Sequence, residues 1–104
     1  MTYYMIHFSN NAKRDLRNIV NYISNVLIEP DIAIKVFNEI MFNIYKLSYL
    51  DVSFRILDIK GIKENGIRKF VVKNYLVFYT VDKDKKIVDI KRIIYGKTNW
   101  VDIF

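Results

Sequence analysis

The side chains best able to do chemistry in this chain are cationic and phenolic, and they gather late in the sequence. Arg68, Lys69 and Lys73 come first, then Lys91 and Arg92, then Tyr95 and Lys97. Such a cluster suits phosphate and carboxylate groups, arginine through its planar fork of donors and lysine as a point charge. The spacing adds a constraint. Arg92 alternates with Val88, Ile90 and Ile94, and Arg68 alternates with Phe70 and Val72. If these segments are strands, each arginine shares a face with apolar residues. A guanidinium in that position must pair with a carboxylate, emerge at the sheet edge, or face an anion. Two such arginines on neighbouring strands would make one concave cationic surface. The structural alternative is that one or both pair with Asp89 or Asp58, while Tyr95 closes the core.

What the sequence lacks narrows the chemistry further. There is no cysteine and a single histidine, His7, so disulfides and the usual zinc clusters are excluded. His7 lies in an aromatic, strand-prone segment and is read as structural. Asp82, Asp84 and Asp89 are close together, but the first two sit among lysines in a composition typical of a turn, so no metal is expected. No glycine-rich phosphate loop, dinucleotide fingerprint, HExxH or GxSxG is present, and no serine has a neighbouring histidine suited to a triad. An enzyme built on this chain would work through arginine, lysine and tyrosine, without a cofactor.

The positive charge is unevenly placed. Residues 1–52 carry Lys13, Arg14, Arg17, Lys35 and Lys46 against Asp15, Glu29, Asp31, Glu39 and Asp51, which cancel. The whole net charge of +6 therefore lies in residues 53–104. A basic half points to an anionic partner such as nucleic acid, a ribosome or an acidic protein segment, or else to a solvated face that keeps the protein soluble. At 104 residues with 52% hydrophobic and 27% charged residues, residues 1–104 are expected to form a single globular domain. No apolar run reaches the length of a membrane span, and Met1 to Phe8 does not read as a secretion signal. The expected location is the cytoplasm, with no membrane partner.

The elements that must position these side chains follow from periodicity. Tyr3 to Phe8 is short, aromatic and β-prone, and reads as a strand. Ser9 offers a cap to a helix whose apolar stripe is Ala12, Leu16, Ile19, Ile23 and Val26 or Leu27. Pro30 suits the first turn of a second helix, which is predicted to bury Ala33, Val36, Phe37, Ile40, Ile44 and Leu47. The short link makes the two a hairpin. Asp51 to Gly66 has no sustained pattern and reads as a loop, with a short strand around Phe54 to Leu57. The period then becomes two. Ile67 to Lys73 reads as a strand, Asn74 as a tight turn, and Tyr75 to Val81 as a central strand. Asp82 to Lys86 is a polar hairpin loop, Ile87 to Tyr95 the last strand, and Gly96 to Asn99 a turn. Trp100, Val101, Ile103 and Phe104 are expected to tuck back onto the body. The order β-α-α-β-β-β predicts an α+β domain in which a helical hairpin packs on a small curved antiparallel sheet.

Three segments together resemble the RelE/ParE superfamily of toxins from bacterial type II toxin–antitoxin systems. They are Tyr4-x-Ile6-x-Phe8-Ser9-x-x-Ala12-x-x-Asp15-Leu16-x-x-Ile19-x-x-Tyr22-Ile23, then Gly66-Ile67-Arg68-x-Phe70-x-Val72-x-Asn74-Tyr75-x-Val77-x-Tyr79-x-Val81, then Val88-x-Ile90-x-Arg92-Ile93-Ile94-Tyr95-Gly96. The resemblance implies the same hairpin-on-sheet fold, a role in plasmid stabilisation or growth inhibition, and a cognate antitoxin whose flexible segment wraps the toxin. It also implies one of two targets. Ribonuclease members cut messenger RNA on the ribosome, and here Arg68, Arg92, Tyr95 and Lys97 would be the catalytic candidates. That branch often has an arginine where this chain has Leu76, and a basic residue where it has Thr98. The Gly-Ile-Arg-x-Phe and Arg-Ile-Ile-Tyr-Gly segments look more like the ParE branch, whose members are associated with poisoning DNA gyrase. On either branch Arg68, Lys69, Lys73, Arg92 and Lys97, all in the basic half, are the residues expected to contact the partner. A toxin that has lost its activity is the remaining alternative.

Overall fold

The computed structural model describes residues 3–49 and 66–98. In chain order these form β1 (Met5–Phe8), α1 (Asn10–Asn21), α2 (Pro30–Tyr45), β2 (Arg68–Val72), β3 (Tyr75–Asp82) and β4 (Ile87–Tyr95). A single wider turn of π type, Tyr22–Val26, prolongs α1, and a 3₁₀ turn, Lys46–Ser48, closes α2. The expected strand near Phe54 to Leu57 and the tail from Trp100 lie outside the described residues.

The expected order is the observed one. The sheet runs β1-β4-β3-β2, and β2, β3 and β4 are an antiparallel meander. β1 adds to the edge in parallel with β4, from Met5 opposite Ile87 to Phe8 opposite Ile90. The sheet is therefore mixed and not wholly antiparallel. A strand that precedes two helices can return to the sheet in either direction, and side-chain alternation is the same in both. β1 also begins at Met5 and not at Tyr3.

The start of α1 is fixed by one side chain. The Ser9 hydroxyl accepts from the Ala12 amide at 3.0 Å, donates to the Lys91 carbonyl at 2.8 Å, and its own amide donates to the Ile90 carbonyl at 3.0 Å. Helix capping and attachment to β4 thus share one residue. β1 stops opposite Ile90, and among the described residues no strand continues along the next residues of β4 on that side. α1 takes over there: the Asp15 carboxylate accepts from the Ile93 amide at 3.0 Å.

Ala12, Ile23, Ala33, Val36, Ile40, Ile44 and Leu47 from the helical side meet Val72, Val77, Tyr79, Val88, Ile90 and Ile93 from the sheet in the core. Two positions predicted as buried are not. Neither Val26 nor Leu27 continues the α1 stripe, since both are exposed, and Phe37 is 38% exposed. The π-type turn adds a residue to the helical repeat, so the stripe that began at Ala12 rotates off the core after Ile23. Proline occupies the first turn of α2 as expected.

Among the described residues φ is positive at Ile28 (φ 55), Lys73 (φ 53), Lys86 (φ 56) and Gly66 (φ 69). In the β2–β3 turn the left-handed residue is Lys73, beside the expected Asn74. Ile28 is the unusual one, since a β-branched side chain resists positive φ. It ends the first helical stretch, where the Glu29 amide returns to the Ile23 carbonyl at 3.0 Å. Glycine is the common residue at such helix ends.

Candidate functional site

Alternation along β4 breaks at Lys91. Tyr79 pairs with Ile90 but its neighbour Phe78 pairs with Arg92, so Lys91 is the extra residue of a β-bulge. A bulge shifts every following side chain to the opposite face. Ile93, not Arg92, therefore joins Val88 and Ile90 in the core.

Arg92 is left at the strand edge facing α1. Its Nε and Nη2 donate to the two Asp15 carboxylate oxygens at 2.7 and 2.9 Å. This bidentate hydrogen bonding raises the guanidinium's pKa, with partial burial working the other way and the Asp15 charge adding to the rise. The structural alternative, an arginine paired with a carboxylate, is realised with Asp15 as partner. Asp89 is engaged elsewhere, with His7 Nδ1 at 2.9 Å and Lys91 Nζ at 2.7 Å.

The expected pair of arginines on neighbouring strands does not arise, because β3 separates β2 from β4. Arg68 stands opposite Tyr79 and Arg92 opposite Phe78. Consecutive residues of β3 point to opposite faces, so the two arginines do not share one surface. Arg68 instead bears on Tyr79. Burial drives that phenol's pKa well up, and the Arg68 charge moderates the rise. Lys69 lies beside Arg68, opposite Phe78. His7 is exposed and paired with Asp89, in keeping with a structural role. Asp82 caps its own turn by accepting from the Asp84 and Lys85 amides at 3.1 and 2.9 Å. Among the described residues no group of three or more His, Asp or Glu could hold a metal ion.

Two of the candidate residues do come together, at the other end of the sheet. An open groove of about 690 Å³ runs between the helical hairpin and the sheet end where the β2–β3 turn meets the end of β4. Ile19, Tyr22, Ile23, Leu27, Ile32 and Val36 form its helical wall; Lys73, Asn74, Tyr75 and Tyr95 form the sheet wall, with Asn18 at the rim. Tyr75 and Tyr95 meet edge to face, ring centres 5.8 Å apart at 64°. Burial raises the Tyr75 pKa, and Tyr95 and Tyr22 push it the same way. Three phenols thus share one apolar groove with Lys73 beside them. Lys97 is exposed in the turn beyond Tyr95 and is not part of the lining.

Gly96 keeps this end tight. Its amide donates to the Asn74 carbonyl at 2.7 Å, and a Cβ at Gly96 would lie 3.1 Å from the same oxygen. Tyr22, Leu27, Ile32 and Tyr75 were not read as site residues from sequence. The available signal was an excess of apolar side chains around Val26 to Ile28, more than a single buried stripe needs.

Residues 6–100 match the family described as the ParE toxin of the type II toxin–antitoxin system parDE. No curated protein sequence matches the chain. Among solved structures, a chain of the chromosomal ParDE toxin–antitoxin system from P. aeruginosa superposes with a TM-score of 0.73 at 20% identity. That match covers 90% of this chain and 97% of the other. A chain of the RelBE2 toxin–antitoxin complex from Mycobacterium tuberculosis gives a TM-score of 0.63 at 22% identity, covering 91% and 93%. At these identities the likeness is one of fold.

Proposed function

The chain belongs to the ParE toxins of type II toxin–antitoxin systems, and on that premise we propose that it halts growth by binding DNA gyrase, with no RNA-cutting activity, until a cognate antitoxin fills its tyrosine-lined groove. The observation that carries the first part is the commitment of Arg92 to Asp15. A metal-independent ribonuclease needs several cations aimed at one developing charge. Here Arg92 is engaged at one edge of the sheet, Arg68 stands opposite Tyr79 on another strand, and Tyr95 packs against Tyr75. Leu76, where the ribonuclease branch often has an arginine, is buried.

The groove supports the second part. Tyr22, Leu27, Ile32 and Tyr95 are 55, 51, 44 and 42% exposed around it. Lys73 supplies a cation at its edge. A segment that folds on binding, with apolar anchors and a carboxylate near Lys73, would cover that surface. Among the described residues no helix is long and apolar enough to cross a membrane, and both targets considered are soluble assemblies.

The two targets separate in a paired assay on purified toxin. Gyrase-dependent DNA cleavage or loss of supercoiling, with translating ribosomes leaving messenger RNA intact, is the expected result. Ribosome-dependent cuts that disappear in Tyr95→Phe and Arg92→Ala would overturn it. A toxin inert in both assays would point to lost activity.

A further inference from the structure

We infer that the solvent face of α1 is a contact surface for the backbone of duplex DNA. The exposed residues of this helix are three cations, Lys13, Arg14 and Arg17, and four asparagines. No carboxylate interrupts them. The only acidic residue of α1, Asp15, is turned inward and holds Arg92 and the Ile93 amide. Residues 1–52 are neutral by count, yet the fold withdraws one negative charge and leaves α1 with an uncompensated cationic face.

The chemistry of that face favours nucleic acid over a protein partner. Protein interfaces centre on a dry apolar patch, and the exposed side chains here are all amides or cations. Amides and guanidinia are the groups that bond phosphate oxygens and, in the major groove, base edges. At a rise of 1.5 Å per residue, Lys13 to Arg17 spans roughly 6 Å, so the three cations address one short stretch of backbone. The molecule's charge of +6 adds long-range attraction. This inference goes beyond the gyrase reading and rests on it only for why duplex DNA is close at hand.

The test uses the full chain and a fluorescein-labelled duplex of about 24 base pairs, with anisotropy read from roughly 50 to 200 mM salt. The variant is Lys13→Gln, Arg14→Gln and Arg17→Gln together. A control, Lys83→Gln with Lys85→Gln, removes charge from the β3–β4 turn. The α1 variant should weaken binding about 30-fold or more and reduce the salt slope by about 2 to 3, while the control changes affinity less than about threefold. Equal losses in both would mean that net charge alone is at work, and would overturn the proposal. So would tighter binding of single-stranded RNA or of polyglutamate than of the duplex. Thermal melts of each variant exclude misfolding as the cause. Because the duplex is offered without gyrase, α1-dependent binding stands even if the gyrase assay fails, and its absence leaves the outcome of that assay untouched.

Discussion

Asp15 and Arg92 lie 77 positions apart in sequence and are joined in the fold by two hydrogen bonds of 2.7 and 2.9 Å. The same carboxylate also takes the Ile93 amide, so three donors of β4 converge on one side chain of α1. Side-chain exposure is 27% for Arg92 and 14% for Asp15, so solvent screens the pair only partly. Removing the carboxylate leaves a half-buried guanidinium and a backbone amide without their acceptor. Asp15→Ala should destabilise the protein by about 2–3 kcal/mol in urea unfolding. Arg92→Met should cost less, because the Asp15 carboxylate it leaves behind still accepts from the Ile93 amide. If Asp15→Ala melts like the parent, the pair is ornamental and α1 is held by packing alone.

That relationship also shows where sequence reading stops. Strand β4 was legible to the residue, as Ile87–Tyr95, and Ser9 and Pro30 declared the helix starts through their own chemistry. Arg92 was legible as an arginine needing a partner, but not as Asp15's partner. The bulge at Lys91 moves it out of the face that strict alternation assigns, and a bulge leaves no mark on the local pattern. The parallel direction of β1 was hidden for a related reason, since pairing is a property of the whole sheet. The groove was illegible because Tyr22 and Tyr75 lie on separate elements, far apart in sequence, and nothing in either local pattern joins them. Only the closure of the β2–β3 turn against the hairpin makes them neighbours.

Ile28 stores strain at the tip of the helical hairpin. Its φ of 55° places a β-branched side chain in the left-handed region, and that side chain is 77% exposed. Nothing buried is lost on replacing it. Ile28→Gly should therefore stabilise the toxin by about 1 kcal/mol, read as a rise in Tm of a few degrees. The same substitution should weaken antitoxin binding if the exposed apolar tip forms part of that interface. A fall in Tm would mean that Ile28 makes contacts that outweigh its backbone cost.

The groove can be blocked without touching the core. Ile32 lines it and is 44% exposed. Ile32→Asp places a charge among the apolar anchors of any bound segment, and should lower affinity for the co-purified antitoxin by at least about tenfold, since desolvating an unpaired carboxylate costs well over about 1.4 kcal/mol. Tm and toxicity of the free protein should stay near the parent values. An unchanged affinity by calorimetry would place the antitoxin on another surface.

Gly96 tests how tightly the sheet end must close. Its φ is ordinary, so the constraint is space: an added Cβ would sit 3.1 Å from the Asn74 carbonyl that already accepts the Gly96 amide. Backbone, unlike a side-chain tip, cannot swing aside. Gly96→Ala should cost about 1 kcal/mol, and should shift the Tyr75 and Tyr95 ring resonances because those residues flank the two turns. A variant with parental stability and unshifted rings would show that the turn relaxes freely.

Asp89 links β1 to β4 through His7 and Lys91, and its contribution should depend on pH. Burial pushes its carboxyl upward, but hydrogen bonds from Lys91 and His7 and their charges outweigh this and hold the pKa below the ordinary 3.8. A carboxyl with a lower pKa folded than unfolded adds stability above the unfolded value, and loses it as pH falls through the folded one. The partners are well exposed, so the gain at neutral pH is below about 1 kcal/mol. Asp89→Asn should accordingly melt a few degrees lower than the parent near pH 7. The gap should narrow steadily below about pH 4 and close once the parent's own carboxyl is protonated. A gap that stays constant into acid would mean that the side chain matters through its shape in the β1–β4 pairing and not through its charge.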